Sequence, residues 1–451
     1  MITPGIFKAN DIRGVTEGPD PQWDEAGAFA VGAALVDVLD LTAAEGCLVL
    51  GRDMRISGPR MSKAFTDGVL SRGVDVLDIG LASTDELWFA SGRLGLPGAM
   101  FTASHNPSSY NGVKFCLAGA RPLAPAQLAE VADRAINTPP VPAAAPGTRT
   151  EQDLLPAYAD HLLSLVDLQG IRRLTVVADA GNGMAGHTLP AVLGTLELDL
   201  IGLYTDLDGT FPNHQPNPLE PENLVDAQVA VREHGADLAL VFDGDADRCF
   251  VIDERGEVVA PSTITAMIAQ AELARDPGST IVCNKITSWS VPEIVEELGG
   301  TIAITPVGHT FVKAAMAEHG AVFGGEHSAH YYFRDFWGAD TGMLAALHVL
   351  ALLGRSDQPL SELTRVFTRY VPSGELNSTV ADATAVMARV EKAFAGRGTA
   401  DRVDGLTVAG DDWWVNVRPS NTEPLLRLNV EARTSARMES LRDEVLDLIR
   451  G

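Results

Sequence analysis

Four polar segments of this sequence combine residue types that could do chemistry, and the first is centred on Ser104. The segment TASHNP, which begins at Thr102, follows the apolar GAMF and precedes SSYNGVKF. Small, polar and turn-forming residues after an apolar run predict an exposed loop at a strand end, with Ser104 at its tip. A hydroxyl beside His105 and Asn106 is suited to act as a nucleophile or a phosphate carrier. An ordinary Ser/Asn turn is the alternative that this segment alone leaves open.

The second segment, DGDADR, runs from Asp243 to Arg248 and follows the apolar ADLALVF. Asp243, Asp245 and Asp247 stand at alternate positions, so they can turn their oxygens toward one hard cation such as Mg²⁺. An EF-hand loop is rejected, because Arg248 stands where its sharp turn requires Gly and because both flanks read as strands. The preceding strand would place the segment at the carboxyl edge of a sheet, where ligands usually bind. That position weighs against a plain solvated acidic turn.

The third segment, GGEHSAH, begins at Gly324 after another apolar pair. Glu326, Ser328 and His330 alternate, so all three could face one ligand, and their mixed donors and acceptors suit vicinal sugar hydroxyls. His327 and His330 could instead bind a metal, although no third ligand is spaced nearby. A polar turn stays equally open from this segment alone.

The fourth segment, RPSNTEP, lies between WWVNV and LLRLNVEA and is therefore predicted to join two strands. Its donor side chains, together with backbone N–H groups, would make a compact phosphate cradle. Those donors are Arg418, Ser420, Asn421 and Thr422. A plain hairpin turn would not need the Arg, so anion binding is favoured.

Strand-like runs that lead through turn residues into helical patterns occur three times, and they must position these segments. They begin at Cys47 (CLVLGRD), Leu174 (LTVVADAGNGMAG) and Ser279 (STIVCNKITS). Strands that alternate with helices predict parallel sheets covered on both faces. Their wide spacing favours three α/β domains over one large sheet.

Composition indicates where these domains end. A Pro/Ala/Gly-rich linker starts at Ile136, a hairpin-like CFVIDERGEVVA ends near Gly256, and a helical pattern stops near Tyr370. We predict an α/β fold with three α/β domains and a smaller C-terminal α+β domain. Their predicted ranges are 1–148, 149–256, 257–369 and 370–451.

Length, composition and charge exclude several classes of protein. The chain has 451 residues, 46% of them hydrophobic, which excludes wholesale disorder. Its 34 Lys and Arg against 60 Asp and Glu give a formal net charge of −26. Nucleic acid and acidic membrane surfaces are therefore poor partners, since both are bound through Lys and Arg. Any phosphate must be held by local positive groups set against this negative field; the oligomeric state is not predicted.

Localisation follows from the cysteines and from the apolar stretches. The four cysteines form no C-x-x-C pair and lie among apolar residues, which is typical of buried reduced thiols in a cytoplasmic protein. The N-terminal MITPGIFKANDIRG carries charges where a signal peptide needs an apolar run. The stretch MLAALHVLALLG from Met343 is too short to span a bilayer and predicts a buried helix. We expect a soluble, cytoplasmic protein.

Taken together and in this order, the four segments resemble the α-D-phosphohexomutase superfamily, and the bacterial phosphomannomutase/phosphoglucomutase branch in particular. The likeness spans the chain from FKANDIRG, which begins at Phe7, to RPSNTEP. It implies four domains around a central cleft, the first three of them α/β domains with mixed sheets and the last one smaller. It also implies Mg²⁺, a phosphoserine, and a hexose 1,6-bisphosphate primer and intermediate, so the expected partner is a small-molecule phosphosugar. Asn10 and Ala329 depart from the usual Tyr and Gly of this branch, so the choice between manno and gluco sugars stays open.

The resemblance also implies roles for individual residues. Ser104 matches the phosphoserine and, with Asp243, Asp245 and Asp247, the metal ligands. Arg13 and Lys114 match catalytic cations, and Lys114 or His330 would serve as the general base. The substrate-binding positions are Arg248, Lys285, His309, Glu326, Ser328, His330, Arg418, Ser420, Asn421 and Thr422.

The predicted function is interconversion of hexose 6-phosphate and hexose 1-phosphate, with mannose phosphates first and glucose phosphates as a further pair. A phosphoglucosamine mutase is one alternative, although FKANDIRG and GEHSAH resemble that branch less. A non-catalytic phosphosugar-binding protein is a second, and the presence of Ser104 with all three aspartates argues against it. A phosphatase that uses Asp243 as nucleophile is a third.

Overall fold

A computed structural model describes residues 1–41, 46–420 and 425–451. Within it the chain divides into two compact units. The first unit comprises Met1–Val259 and Ser328–Ser361, and the second comprises Ala260–His327 and Glu362–Gly451. The elements are given below in chain order, and each unit is described by itself.

The first sheet of the first unit is mixed and carries the Ser104 segment. Its strands, in the order β1-β5-β4-β2-β3-β7 with β6 on β5, are β1 (Ile12–Val15), β2 (Cys47–Arg52), β3 (Asp75–Leu81), β4 (Gly98–Phe101), β5 (Tyr110–Leu117), β6 (Arg121–Pro122) and β7 (Arg149–Glu151). Strands β4, β2, β3 and β7 run parallel, while β5 is antiparallel to β1 and β4. The helices are α1 (Glu25–Val38), α2 (Gly58–Ser71), α3 (Thr84–Leu94) and α4 (Pro125–Asn137).

The linker predicted from Ile136 is only partly irregular. Its last residues enter β7, which pairs in parallel with the exposed edge of β3. This pairing satisfies backbone groups that an edge strand would otherwise leave open. Periodicity could not reveal it, because all three residues of β7 are exposed.

The second sheet of the first unit is also mixed and carries the acidic segment. Its strands, in the order β12-β11-β10-β8-β9, are β8 (Thr175–Asp179), β9 (Asp199–Leu203), β10 (Leu238–Phe242), β11 (Cys249–Asp253) and β12 (Val258–Val259). Strands β10, β8 and β9 are parallel, whereas β10, β11 and β12 are antiparallel, which confirms the predicted hairpin. The helices are α5 (Leu155–Leu165), α6 (Ala185–Val192) and α7 (Val225–His234).

The segment 260–327 of the second unit contributes a parallel sheet, with β13 paired to both β14 and β15. These strands are β13 (Thr280–Asn284), β14 (Thr301–Thr305) and β15 (Phe323–Gly325), and the helices are α8 (Pro261–Arg275), α9 (Ser290–Glu297) and α10 (His309–His319).

The chain then returns to the first unit as an antiparallel hairpin and a helix. These elements are β16 (Tyr331–Phe333), β17 (Ala339–Asp340) and α11 (Gly342–Gly354), and the short α12 (Leu360–Leu363) follows. Helix α11 is buried along nearly its whole length, as its apolar sequence predicted. Among the described residues, every helix is too short or too polar to cross a membrane.

The last segment of the second unit is a smaller α+β layer. An antiparallel sheet has the order β18-β22-β21-β20-β19, and two helices pack on it around a core that includes Phe394, Trp413 and Leu441. The strands are β18 (Val371–Ser378), β19 (Thr399–Asp401), β20 (Leu406–Ala409), β21 (Trp413–Pro419) and β22 (Leu426–Ala432), and the helices are α13 (Ala383–Ala393) and α14 (Ser435–Arg450). The three α/β layers and the smaller α+β layer confirm the predicted fold class.

Candidate active site

Ser104 lies in the loop between β4 and β5, and it is buried rather than exposed, with 2% of its surface accessible. The expectation of an exposed loop tip is therefore wrong for this residue, because the acidic loop covers it. Ser104 Oγ donates to Asp243 Oδ2 at 2.8 Å. The Ser104 backbone has a φ of 49°, and its N–H donates to Thr102 Oγ1 at 2.8 Å. A left-handed residue other than Gly is held in place by its surroundings, so this loop presents Ser104 in one conformation.

The acidic loop begins where β10 ends, and its three carboxylates converge. Asp243, Asp245 and Asp247 are buried, and one oxygen from each lies within 4.8 Å of the others. Lys114 on β5 bridges two of them, since its Nζ lies 2.7 Å from Asp245 Oδ2 and 2.5 Å from Asp247 Oδ2. Strands flank the loop on both sides, which confirms that it is not an EF-hand.

Whether the acidic loop suits a metal can be judged from one carboxylate oxygen each of Asp245 and Asp247. Asp245 Oδ1 and Asp247 Oδ1 are buried and accept no hydrogen bond from the described residues. Leaving a buried carboxylate oxygen without a donor or a cation is costly. Oxygens are also the ligands that Mg²⁺ prefers. The residues present therefore fit a hard divalent cation.

Burial and neighbouring charge set the protonation of this cluster. Burial raises the pKa of Asp243 to about 7 against the opposing charge of Arg248. Burial also acts to raise the pKa of Asp245, but the Lys114 ammonium outweighs it and lowers that pKa below its usual range. Burial acts to lower the pKa of Lys114, but Asp245 and Asp247 together raise it above its ordinary value. Lys114 is therefore held as an ammonium ion in this arrangement.

Two arginines predicted as site cations also lie at this cluster. Arg13 on β1 donates through Nε to Asp11 Oδ2 at 2.8 Å and through Nη1 to Asn106 Oδ1 at 3.0 Å. Arg248 donates through Nε to Asp243 Oδ2 at 2.9 Å. Asp11 and Asn106 of the Ser104 loop therefore orient the guanidinium of Arg13, and Asp243 of the acidic loop orients that of Arg248.

His330 approaches the acidic loop from the hairpin that contains β16. Its Nε2 lies 3.6 Å from Asp247 Oδ1, and its Nδ1 lies 2.9 Å from Ser328 Oγ. Single ligand atoms of Asp247, His330 and Asp340 fall within 4.8 Å of one another. The sequence showed no third metal ligand spaced near His330, because Asp247 is far away along the chain and Asp340 is brought close only by the pairing of β16 with β17.

Three other predicted residues follow the parallel strands of the second unit. Lys285 comes directly after β13, His309 begins the helix that follows β14, and Glu326 comes directly after β15. Glu326 is buried and accepts hydrogen bonds from Asn284 Nδ2 at 3.0 Å and from the Gly308 N–H at 3.2 Å. The carboxyl ends of parallel strands meet at one sheet edge, which is why residues so far apart in sequence gather there.

Arg418, the centre of the predicted phosphate cradle, lies near the end of β21 and is buried. Its Nη2 lies 2.8 Å from Glu375 Oε2. Burial lowers the pKa of Arg418, while Glu375 opposes that effect. Ser420 follows β21 directly, whereas Asn421 and Thr422 lie outside the described residues.

Sequence reasoning missed Thr84 at the predicted site, and it named His105 only as a neighbour of Ser104. Thr84, the first residue of α3, donates through Oγ1 to Asp245 Oδ2 at 2.6 Å, and its N–H donates to the Asp245 carbonyl at 3.0 Å. His105 Nδ1 accepts from Arg248 Nη2, and burial together with Arg248 lowers the pKa of His105 well below its usual value. The N-cap Ser83 marks the start of a helix, but no local pattern shows that this start meets the acidic loop.

Comparison with protein families gives four matches that follow one another along the chain. Their descriptions are Phosphoglucomutase/phosphomannomutase, alpha/beta/alpha domains I, II and III, and the C-terminal domain of the same group. They match residues 4–139, 156–256, 260–370 and 375–448 in turn.

Individual relatives match over nearly the whole chain. A phosphomannomutase of Salmonella montevideo is 40% identical and covers 98% of each chain. A protein of Xanthomonas campestris pv. campestris (strain ATCC 33913), named Phosphohexose mutases, is 40% identical and covers 100% of each chain. The crystal structure of a phosphoglucomutase/phosphomannomutase family protein from Burkholderia thailandensis has a TM-score of 0.90 and 31% identity, covering 100% of this chain and 98% of that one.

Proposed function

The chain belongs to the phosphoglucomutase/phosphomannomutase family, and from that membership we propose that it interconverts mannose 6-phosphate and mannose 1-phosphate. Enzymes of this family are phosphohexomutases, which are isomerases acting on small phosphosugars. Mannose is proposed because the Salmonella relative is named a phosphomannomutase. Glucose phosphates are proposed as a further substrate pair.

One observation carries the chemical part of this proposal. A buried hydroxyl, Ser104 Oγ, lies 2.8 Å from Asp243 within a cluster of three carboxylates, and Lys114 bridges the other two. A nucleophile beside oxygens that can hold a hard cation is the arrangement that phosphoryl transfer requires. We assign Ser104 as the residue that carries the phosphoryl group between turnovers.

The acidic loop is assigned to metal binding. Asp243, Asp245 and Asp247, with an oxygen of the phosphoryl group on Ser104, would hold Mg²⁺, which when bound supplies positive charge beside the transferring oxygens. Arg13 and Arg248 would hold the non-bridging oxygens through charge-assisted hydrogen bonds. Their existing contacts keep both guanidinium groups oriented before the substrate arrives.

The proposed reaction moves one phosphoryl group in each half. The bond between Ser104 Oγ and phosphorus breaks, a bond to the free sugar hydroxyl forms, and the hydroxyl proton passes to a base. Lys114 and His330 are the candidates for that base, because both lie beside the acidic loop: Lys114 Nζ is 2.7 Å from Asp245 Oδ2, and His330 Nε2 is 3.6 Å from Asp247 Oδ1. The resulting hexose 1,6-bisphosphate turns within the site, and its other phosphate returns to Ser104.

Residues of the second unit are assigned to the parts of the substrate that do not react. Glu326 and His309, with Ser328 of the first unit, would contact sugar hydroxyls. Arg418, Ser420, Asn421, Thr422 and Lys285 would hold the second phosphate. A hexose 1,6-bisphosphate would also serve as primer, because it can phosphorylate Ser104 in unmodified enzyme. Four unpaired cysteines accord with the proposed cytoplasmic location.

The deciding experiment follows mannose 1-phosphate by ³¹P NMR in the presence of Mg²⁺ and glucose 1,6-bisphosphate. We expect a 6-phosphate signal to appear and Ser104 to gain one phosphate by intact-mass spectrometry. Ser104→Ala should abolish both, whereas Ser108→Ala in the same loop should abolish neither.

Other outcomes would each contradict the proposal. Binding without turnover would indicate a phosphosugar-binding protein. Release of inorganic phosphate with label on Asp243 would indicate a phosphatase. Faster turnover of glucosamine 1-phosphate than of mannose 1-phosphate would assign the chain to phosphoglucosamine instead.

A further inference from the structure

Arg55 is a buried arginine that the assigned chemistry does not use. It lies between β2 and α2, and only 1% of its surface is exposed. Its side chain and that of its ion-pair partner Asp53 are both completely buried. A buried guanidinium is expensive to desolvate unless all of its donors find acceptors.

The acceptors of Arg55 lie mainly in the Ser104 loop. Nε donates to Asp53 Oδ2 at 3.2 Å. The four terminal N–H groups donate to backbone carbonyls of Ser104 and Asn106, both at 2.7 Å, of Pro107 at 2.8 Å and of Tyr110 at 3.0 Å. All five donors of the guanidinium are therefore used, and four of them hold one loop from its first turn to the start of β5.

The loop that supplies these carbonyls has a strained backbone at Ser104. The left-handed conformation of Ser104, with a φ of 49°, is unfavourable for a residue with a Cβ. Such a conformation persists only where the surrounding structure enforces it. Arg55 Nη2 donates to the Ser104 carbonyl, and Thr102 Oγ1 accepts a hydrogen bond from the Ser104 N–H, so both main-chain polar groups of Ser104 are held.

We propose that Arg55 is a positioning residue, which holds the Ser104 loop in the conformation that points Oγ at the acidic loop. This inference rests on the proposed role of Ser104 as the phosphoryl carrier. Asp53 fixes the guanidinium from behind through the ion pair and through the Arg55 backbone N–H, which donates to Asp53 Oδ1 at 2.9 Å. The Phe211 ring covers its face, with the guanidinium carbon 5.2 Å from the ring centroid.

The test is Arg55→Lys, because it keeps the positive charge but replaces the planar guanidinium and its five N–H donors. An ammonium group has three donors in a compact head and cannot reach all four carbonyls. Arg134→Lys is the matched control, since Arg134 pairs with Glu130 on the exposed surface of α4 in the same sheet layer. Phe211→Leu is a milder second variant that leaves every donor of Arg55 in place.

Three measurements are made on the full-length protein. Single-turnover phosphorylation of unmodified enzyme by glucose 1,6-bisphosphate, read by intact mass, should slow by about 10- to 100-fold in Arg55→Lys. Substrate KM should change far less, because Arg55 uses its donors within the protein. Amide hydrogen exchange across residues 104–110 should accelerate in Arg55→Lys, less so in Phe211→Leu, and not in Arg134→Lys.

The outcomes separate this inference from the proposed function. A wild-type transfer rate together with unchanged exchange in Arg55→Lys would overturn the inference. So would a lowered melting temperature with an unchanged rate per folded molecule, since that marks a purely structural role. If wild-type enzyme gains no phosphate, the proposed function fails, and the exchange data then decide by themselves whether Arg55 holds the loop. If Arg55→Lys does not fold, Arg55→Gln takes its place, because it removes the buried charge and keeps only two side-chain N–H donors, and unchanged exchange across residues 104–110 in that variant overturns the inference.

Discussion

Replacing Gly244 with Ala should separate the nucleophile from the acidic loop. Gly244 lies between Asp243 and Asp245, and its Cα faces the Ser104 loop. A Cβ added there would lie 2.5 Å from the Ser104 carbonyl oxygen and 3.3 Å from Pro216 Cβ. The carbonyl is main chain and is itself held by Arg55, so it cannot swing aside as a flexible side chain would.

The size of the effect follows from that distance. Real Cβ atoms essentially never come closer than 3.0 Å to another atom, and ordinary contact begins at 3.4 Å. The two loops must therefore move apart by roughly 0.5–1 Å, and a misplacement of about 1 Å can cost ~10²-fold in rate. We expect kcat to fall by about 10- to 100-fold, with about 1–3 kcal/mol lost from the free energy of unfolding through overpacking.

The assay is steady-state conversion of mannose 1-phosphate at saturating Mg²⁺, with thermal unfolding of the same samples. Gly194→Ala is the matched control, because nothing lies within 4 Å of an added Cβ at that position. It should leave kcat unchanged. A Gly244→Ala enzyme with the kcat and the melting temperature of wild type would refute the contact between the two loops. A lowered melting temperature with wild-type kcat would show that the contact matters for stability alone.

Three further predictions concern other parts of the molecule. Thr84→Val removes the hydroxyl that donates to Asp245, so it should weaken Mg²⁺ affinity in a calorimetric titration, whereas Thr84→Ser keeps a hydroxyl and should bind Mg²⁺ like the wild type. Equal affinities in both variants would contradict the role of that hydrogen bond. Burial raises the pKa of Glu86 from 4.5 to about 8. Between these two pH values the carboxyl group is neutral in the folded protein and charged in the unfolded chain. The free energy of unfolding should therefore fall as pH rises across this range, by at most about 1.4 kcal/mol per pH unit. Glu86→Gln should flatten this part of the profile in thermal unfolding, and an unchanged slope would contradict it. Arg418→Ala should raise KM for the 1-phosphate and the 6-phosphate alike and increase the release of bisphosphate, while Ser104 is still phosphorylated. Arg418→Lys should restore binding only partly, since an ammonium group lacks the two parallel donors of a guanidinium. Normal KM values without extra release of bisphosphate in Arg418→Ala would show that the segment is an ordinary hairpin turn.

Sequence patterns predicted the features that are local. Strand, turn and helix signals placed the acidic loop after β10 and the start of RPSNTEP at the end of β21, because apolar runs and turn residues are read within a few positions. Alternating carboxylates in one short segment indicated a cation site for the same reason. The apolar stretch that became α11 was equally local, and it is buried as predicted.

What escaped prediction depends on partners far along the chain. Lys114 meets Asp245 across 131 positions, and Thr84 meets the same aspartate across 161. No periodicity within one segment encodes such a pairing. The burial of Ser104 escaped for the same reason, since its cover comes from another sheet. Composition suggested an exposed polar loop, and long-range packing outweighed that preference.

The acidic composition and the proposed phosphate chemistry are compatible because the assigned cations are already paired. In the first unit Lys114 and Arg248 contact aspartates of the acidic loop; in the second, Arg418 contacts Glu375 and Lys285 contacts Asp401. A paired cation is oriented and desolvated before the ligand arrives, yet part of its charge is neutralised. It therefore attracts a phosphate less strongly than a bare cation would. On the proposed function this balance is required, because the same bisphosphate must be held, released, turned and held again within one turnover. A set of strongly positive, unpaired cations would bind that intermediate tightly in one orientation and slow the second half of the reaction.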